Sequence, residues 1–184
     1  MYIKNIVKNC AVLLNKDNVV NYVVKNTNSG DAKETTEKLI NLTNVVINEL
    51  STVGFYLVRT QTIKRSDEKI AYSSLRSKPI KILSLTDENG KEYQFKALTE
   101  HVIVDKKATV ITYSYEVDEK SLDAVVTFQD YRLTEMVIAM GVAAEYLLTM
   151  HDFDGAVYWH ERFVEMLKKY KSTKNVNVKG RSFI

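Results

Sequence analysis

Along the first fourteen residues the apolar positions Ile3, Ile6, Val7, Cys10, Leu13 and Leu14 recur at helical spacing. Lys4 and Lys8 fall on the other side, which predicts an amphipathic helix. A short second helix is predicted over "KDNVVNYVV", with Asp17 as its N-cap. "NTNSGD" reads as a loop. A third helix is predicted to open at Asp31, with Glu34 three positions on in capping-box spacing. Its buried stripe is Leu39, Leu42, Val46, Leu50 and Val53, and it stops near Gly54.

After Gly54 the period shortens. "FYLVRTQTIKR" is rich in β-branched and aromatic residues and predicts a strand. "PIKILSL" and "KEYQFKAL" flank Asn89-Gly90 and predict one hairpin, with Pro79 at the strand start. "HVIV" and "TVITYSYEV" flank "DKKA" and predict a second. In the latter strand Ile111, Tyr113, Tyr115 and Val117 share a face. "DAVVTF" either closes this region or leads into the next helix. The helical period returns at about Tyr131, with Leu133, Val137, Met140, Ala144 and Leu147 on one stripe. A last helix aligns Ala156, Trp159, Phe163, Met166, Leu167 and Tyr170. Helices, then antiparallel strands, then a helical pair predict an α+β fold. Residues 1–170 are expected to form a single domain, followed by a flexible basic arm over 171–184.

Composition narrows the class. The chain has 184 residues, 45% hydrophobic and 27% charged, as expected of a globular protein with a real core. Its single cysteine, Cys10, excludes an intramolecular disulfide and lies on an apolar stripe, as a core thiol would. "IVKNCAVLL" is interrupted by Lys8 and Asn9, so no secretory signal is expected. The mostly apolar run Met136–Leu148 is too short to cross a bilayer, and no membrane contact is expected. Net charge is +3, but residues 168–184 carry +6 and no acid, which leaves −3 on residues 1–167.

The densest candidate chemistry is "HDFDGAVYWHERF", residues 151–163. His151, Asp154 and His160 could be read as metal ligands. The histidines are nine positions apart across a helix start, without the convergent spacing a zinc site uses. A helical corner accounts for more residues. Asp152 or Asp154 caps the last helix and complements its dipole. Gly155 and Ala156 keep the corner tight. Trp159 and Phe163 lie against Gly141, Ala143 and Ala144, and His160, Glu161 and Arg162 face solvent. No phosphate loop, nucleophile elbow or paired-cysteine motif is present, and no cofactor is expected. Eleven tyrosines raise a nucleic-acid reading, with Tyr113 and Tyr115 as stacking platforms beside a basic tail.

The layout resembles the head–tail adaptor (connector, or head-completion) proteins of tailed bacteriophages. The resemblance is carried by "TVITYSYEVDEKSL" followed by "MGVAAEYLLTMHDFDGAVYWHERFVEMLKKY". In that family a helix with residues of the type of Ala144, Tyr146, Leu147 and Leu148 ends at a corner, and a helix of the type of Ala156, Trp159, Arg162 and Phe163 returns. The family's glycine before the acidic corner stands after it here, at Gly155. The resemblance implies a virion structural protein at the neck, assembled in the host cytoplasm, without catalysis. Copies would form a ring, commonly of twelve, between the portal protein and the next neck or tail protein. Genomic DNA would pass through the channel without sequence recognition. It also implies an arm that docks on the portal, here through Lys174, Lys179, Arg181, Phe183 and Ile184.

Overall fold

A computed structural model describes residues 1–25, 30–64, 67–115 and 121–172. The fold is α+β: the described residues form five α-helices and two three-stranded antiparallel sheets. The helices are α1 (Ile3–Leu13), α2 (Asp17–Lys25), α3 (Gly30–Thr52), α4 (Glu135–Thr149) and α5 (Phe153–Ser172). The strands are β1 (Val58–Thr62), β2 (Lys69–Ala71), β3 (Pro79–Thr86), β4 (Phe95–Ala97), β5 (His101–Val104) and β6 (Val110–Tyr115). Within 1–170, the contacts separate two compact units. One holds the described residues among 1–47, 121–125 and 131–172; the other holds those among 48–118 and 126–130.

In the helical unit α4 is the central element. Val137, Ile138, Ala139, Gly141, Val142, Ala143, Ala144 and Tyr146 are all buried, so the helix is apolar nearly all round and must be enclosed. Both α1 and α5 pack on it. Ile3, Ile6, Val7 and Cys10 are fully buried, so the first amphipathic stripe is the buried face of α1. Glu135 accepts hydrogen bonds from the Tyr2 N–H (2.9 Å) and Asn5 Nδ2 (3.2 Å), which ties the start of α1 to that of α4. Thr134 caps α4 by accepting from the Val137 N–H, so the helix begins four residues after Tyr131, which is 91% exposed.

Burial pushes the Cys10 thiol up to about 12. The thiolate is the reactive form. Native protein at pH 8 is therefore expected not to react with an aromatic disulfide reagent, while urea-unfolded protein releases one equivalent. Equal rates in both states would refute the buried face of α1.

Three local assignments differ from the pattern reading. Asp17 is the first residue inside α2, since the Val19 and Val20 N–H groups already donate to the Lys16 carbonyl. Its charge acts on the helix dipole rather than as the N-cap. Asp31 likewise lies inside α3, which starts at Gly30. The buried stripe of α3 runs through Ala32, Thr36, Leu39, Thr43, Val46, Ile47 and Leu50, while Leu42 is half-buried and Val53 is 49% exposed. Thr36 and Thr43 enter the core because their hydroxyls donate to the carbonyls four residues back, at 2.6 and 2.7 Å. Gly54 does end the helix: the Phe55 N–H reaches back to the Leu50 carbonyl at 2.9 Å.

In the strand unit the two predicted hairpins are not ladders. β6 lies between β1 and β3, and β5 between β2 and β4. The turn at Asn89-Gly90 forms, with Gly90 at φ +81 and a single bridge from Thr86 to Glu92. Asp87 holds it by accepting from the Lys91 and Asn89 N–H groups and from the Tyr93 hydroxyl. These bonds keep its carboxyl below the ordinary value. The chain then leaves the first sheet, and β4 joins the second. "DKKA" is likewise a link from one sheet to the other. "DAVVTF" contributes isolated bridges, Val125 with Tyr2 and Phe128 with Leu57.

Candidate functional site

The stretch 151–163 is the corner between α4 and α5. The last turn of α4 closes with the Met150 N–H on the Tyr146 and Leu147 carbonyls, and the Asp152 N–H on that of Leu147 at 3.0 Å. His151, between them, takes the left-handed conformation at φ +59, where glycine is usual. Asp152 is the N-cap of α5: Oδ1 accepts from the Gly155 N–H at 3.0 Å, and its carbonyl accepts from Ala156 N–H at 3.1 Å. A Cβ on Gly155 would stand 2.7 Å from Asp152 Oδ2 and 3.0 Å from Leu147 Cδ1, so glycine lets the cap close tightly there.

Above the corner α5 returns along α4. Phe163 is buried, and a Cβ on Gly141 would lie 3.1 Å from its Cζ and 3.1 Å from Val46 Cγ1 of α3. Three helices therefore meet at Gly141. Ala143, Ala144 and Ala156 are also buried. Trp159 is not a core residue. It is half-buried and packs edge-on against Tyr158, ring centres 5.0 Å apart. Tyr158 is itself 51% exposed and accepts from Arg162 Nη1 at 2.7 Å. Helical spacing alone placed Trp159 on the stripe, but its position is at the stripe's edge.

The titratable groups do not converge. His151, Asp154, His160, Glu161 and Arg162 are exposed, and among the described residues no three His, Cys, Asp or Glu side chains are placed to hold one metal ion. Nor does the tyrosine strand offer a stacking platform. Tyr113 and Tyr115 are 0% and 2% exposed and stack edge-on at 6.5 Å. Arg59 covers Tyr115 at 4.5 Å. Bases would reach these rings only if the sheet opened. Val117 lies outside the described residues, as do Lys174, Lys179, Arg181, Phe183 and Ile184. No helix of the described residues is long and apolar enough to cross a membrane.

No protein family and no characterised protein matches this sequence.

What the corner does expose is apolar surface. Leu148, Met150, Phe153 and Val157 are 44%, 55%, 61% and 56% exposed, and Phe153 stacks on His151 with ring centres 6.2 Å apart. Such residues grouped on one corner mark a surface that meets another molecule more often than singly scattered ones do. Pattern reading assigned the apolar residues of α5 to the core stripe and passed over these. The available signal was Phe153 and Val157, four apart and off the stripe of Ala156 and Phe163. Beside the corner, Lys16 and Lys38 each place their ammonium 5.2 Å from the centre of the Tyr146 ring, at the rim of the same face.

Proposed function

We propose that this chain is a structural adaptor at the head–tail junction of a tailed bacteriophage. Copies form a ring that joins the portal vertex to the neck or tail and extends the DNA channel. The observation that carries this reading is the α4–α5 hairpin. Ala144, Tyr146, Leu147 and Leu148 end one helix, Asp152 caps the next, and Ala156, Trp159, Arg162 and Phe163 return along it. These are the residues on which the family resemblance rests. The corner is built by packing and capping, and its exposed apolar side chains suit assembly rather than turnover. The competing reading, a nucleic-acid accessory protein, depends on tyrosines that are buried and on a tail outside the described residues.

The tail provides the test. Residues 173–184 combine Lys174, Lys179 and Arg181 with Phe183 and Ile184, a composition suited to an acidic partner surface with an apolar pocket. Deleting 172–184 is expected to leave the melting temperature nearly unchanged and to abolish attachment to portal-containing heads. Truncated protein that still completes infectious particles would remove the arm from the mechanism. Full-length protein that fails to attach would remove the adaptor reading itself.

A further inference from the structure

We infer that the outward faces of α1 and α5 are the two halves of one contact between copies of this chain, α5 of one copy seated on α1 of the next. The ring reading above supplies its biological setting. The contact itself follows from charge, exposure and position.

Both helices pack on α4 through their buried stripes, so their exposed stripes are turned outward. On α1 the outward stripe is Lys4, Lys8 and Val12, spaced by four. Residues 1–13 hold Lys4 and Lys8 and no acid, a charge of +2. Val12 is 51% exposed and Tyr2, just before the helix, 56%. On α5 the outward side carries Asp154, Val157, Tyr158, Glu161 and Glu165. Residues 152–165 hold four acids and Arg162, a charge of −3. Each face thus combines exposed apolar side chains with a dominant sign of charge, lysine on α1 and carboxylate on α5, where Arg162 lies on Tyr158 and Lys169 on Glu165.

Charge also decides which pairing is productive. Two α1 faces would set lysine against lysine. Two antiparallel α5 faces would match Asp154 with Lys168 but force Glu161 against its own counterpart. Only α5 on α1 brings opposite charges together, the lysines of α1 against the acids of α5, with Val157 available to Val12. Unlike halves make the contact heterologous, and a heterologous contact closes into a ring when its rotation allows. Exposed ion pairs contribute little singly, so one such contact is weak and gains strength by repetition around a ring.

The test is cross-linking of full-length protein with a short bismaleimide, using Val12→Cys and Val157→Cys in separate chains. Both positions are exposed, so folding is preserved, and native Cys10 is buried. A covalent dimer is expected in the mixture and in neither variant alone. Lys4→Glu with Lys8→Glu on the Val12→Cys chain should lower the yield about tenfold. Adding Asp154→Lys with Glu161→Lys on the other chain should restore it. A dimer from Val157→Cys alone would make the contact an α5–α5 pair and overturn the proposal. So would a dimer from Val12→Cys alone, or none in any mixture at millimolar protein. Cross-linking without attachment to heads would sink the adaptor reading and leave this contact standing. Attachment without cross-linking on the heads would do the reverse.

Discussion

Phe163→Ala is expected to cost about 3–5 kcal/mol, against about 1–2 kcal/mol for Trp159→Ala. The larger value follows from where Phe163 sits. Its ring is buried and touches the space over Gly141, where α3 and α4 also meet. Truncation there leaves a cavity bounded by three helices, which cannot close without moving one of them. Trp159 is the larger side chain, but it is half-buried and its neighbour Tyr158 is already in water. Removing it loses area without opening a void. Against a typical stability of about 5–15 kcal/mol, the first change threatens folding and the second does not. Urea titration of both variants decides it. Equal losses would mean that Trp159 carries the helical pair.

Filling the same junction from the other side should also be costly. Gly141→Leu is expected to destabilise by about 3 kcal/mol, the upper part of the usual range for overpacking. A Cβ alone would stand 3.1 Å from both Phe163 Cζ and Val46 Cγ1, and both neighbours are buried. Alanine is a different case. It gains up to about 1 kcal/mol of helix propensity over glycine, and a shift of a few tenths of an ångström relieves its contacts. Gly141→Ala is therefore expected to be within about 0.5 kcal/mol of the parent. A leucine variant as stable as the parent would show that α5 does not pack at this point.

Much of the helical unit was legible because its apolar spacing is regular and local. Ile3, Ile6, Val7 and Cys10 announce the buried face of α1, and Gly54 and Asp152 mark a stop and a start by backbone chemistry that depends on near neighbours alone. Thr36 and Thr43 were not legible as core residues. Threonine counts as polar until its hydroxyl is seen to bond its own helix, and then its methyl group is free to pack. The sheets were half-legible for a related reason. Asn89-Gly90 specifies a reversal of direction, and a reversal forms. Which strand lies beside β3 is settled by burial of Ile111 and Tyr113 on β6, residues far along the chain that no turn signal encodes.

The corner at 151–163 was legible in outline, since acid, glycine and small residues in that order specify capping. Its exposed side was not. An exposed Phe153 or Val157 has the same letter as a buried one, and only the packing of Ala156 and Phe163 shows which side of α5 is spent.

The carboxyl end of α5 carries one further consequence. Arg132, just before α4, donates from Nη2 to the Tyr170 carbonyl at 2.7 Å and rests 5.9 Å from the centre of the Tyr170 ring. The final turn of the helix is thereby anchored to a residue 38 positions upstream. Losing that one guanidinium would therefore fray the last turn of α5 first and leave its packing on α4 further up the helix in place.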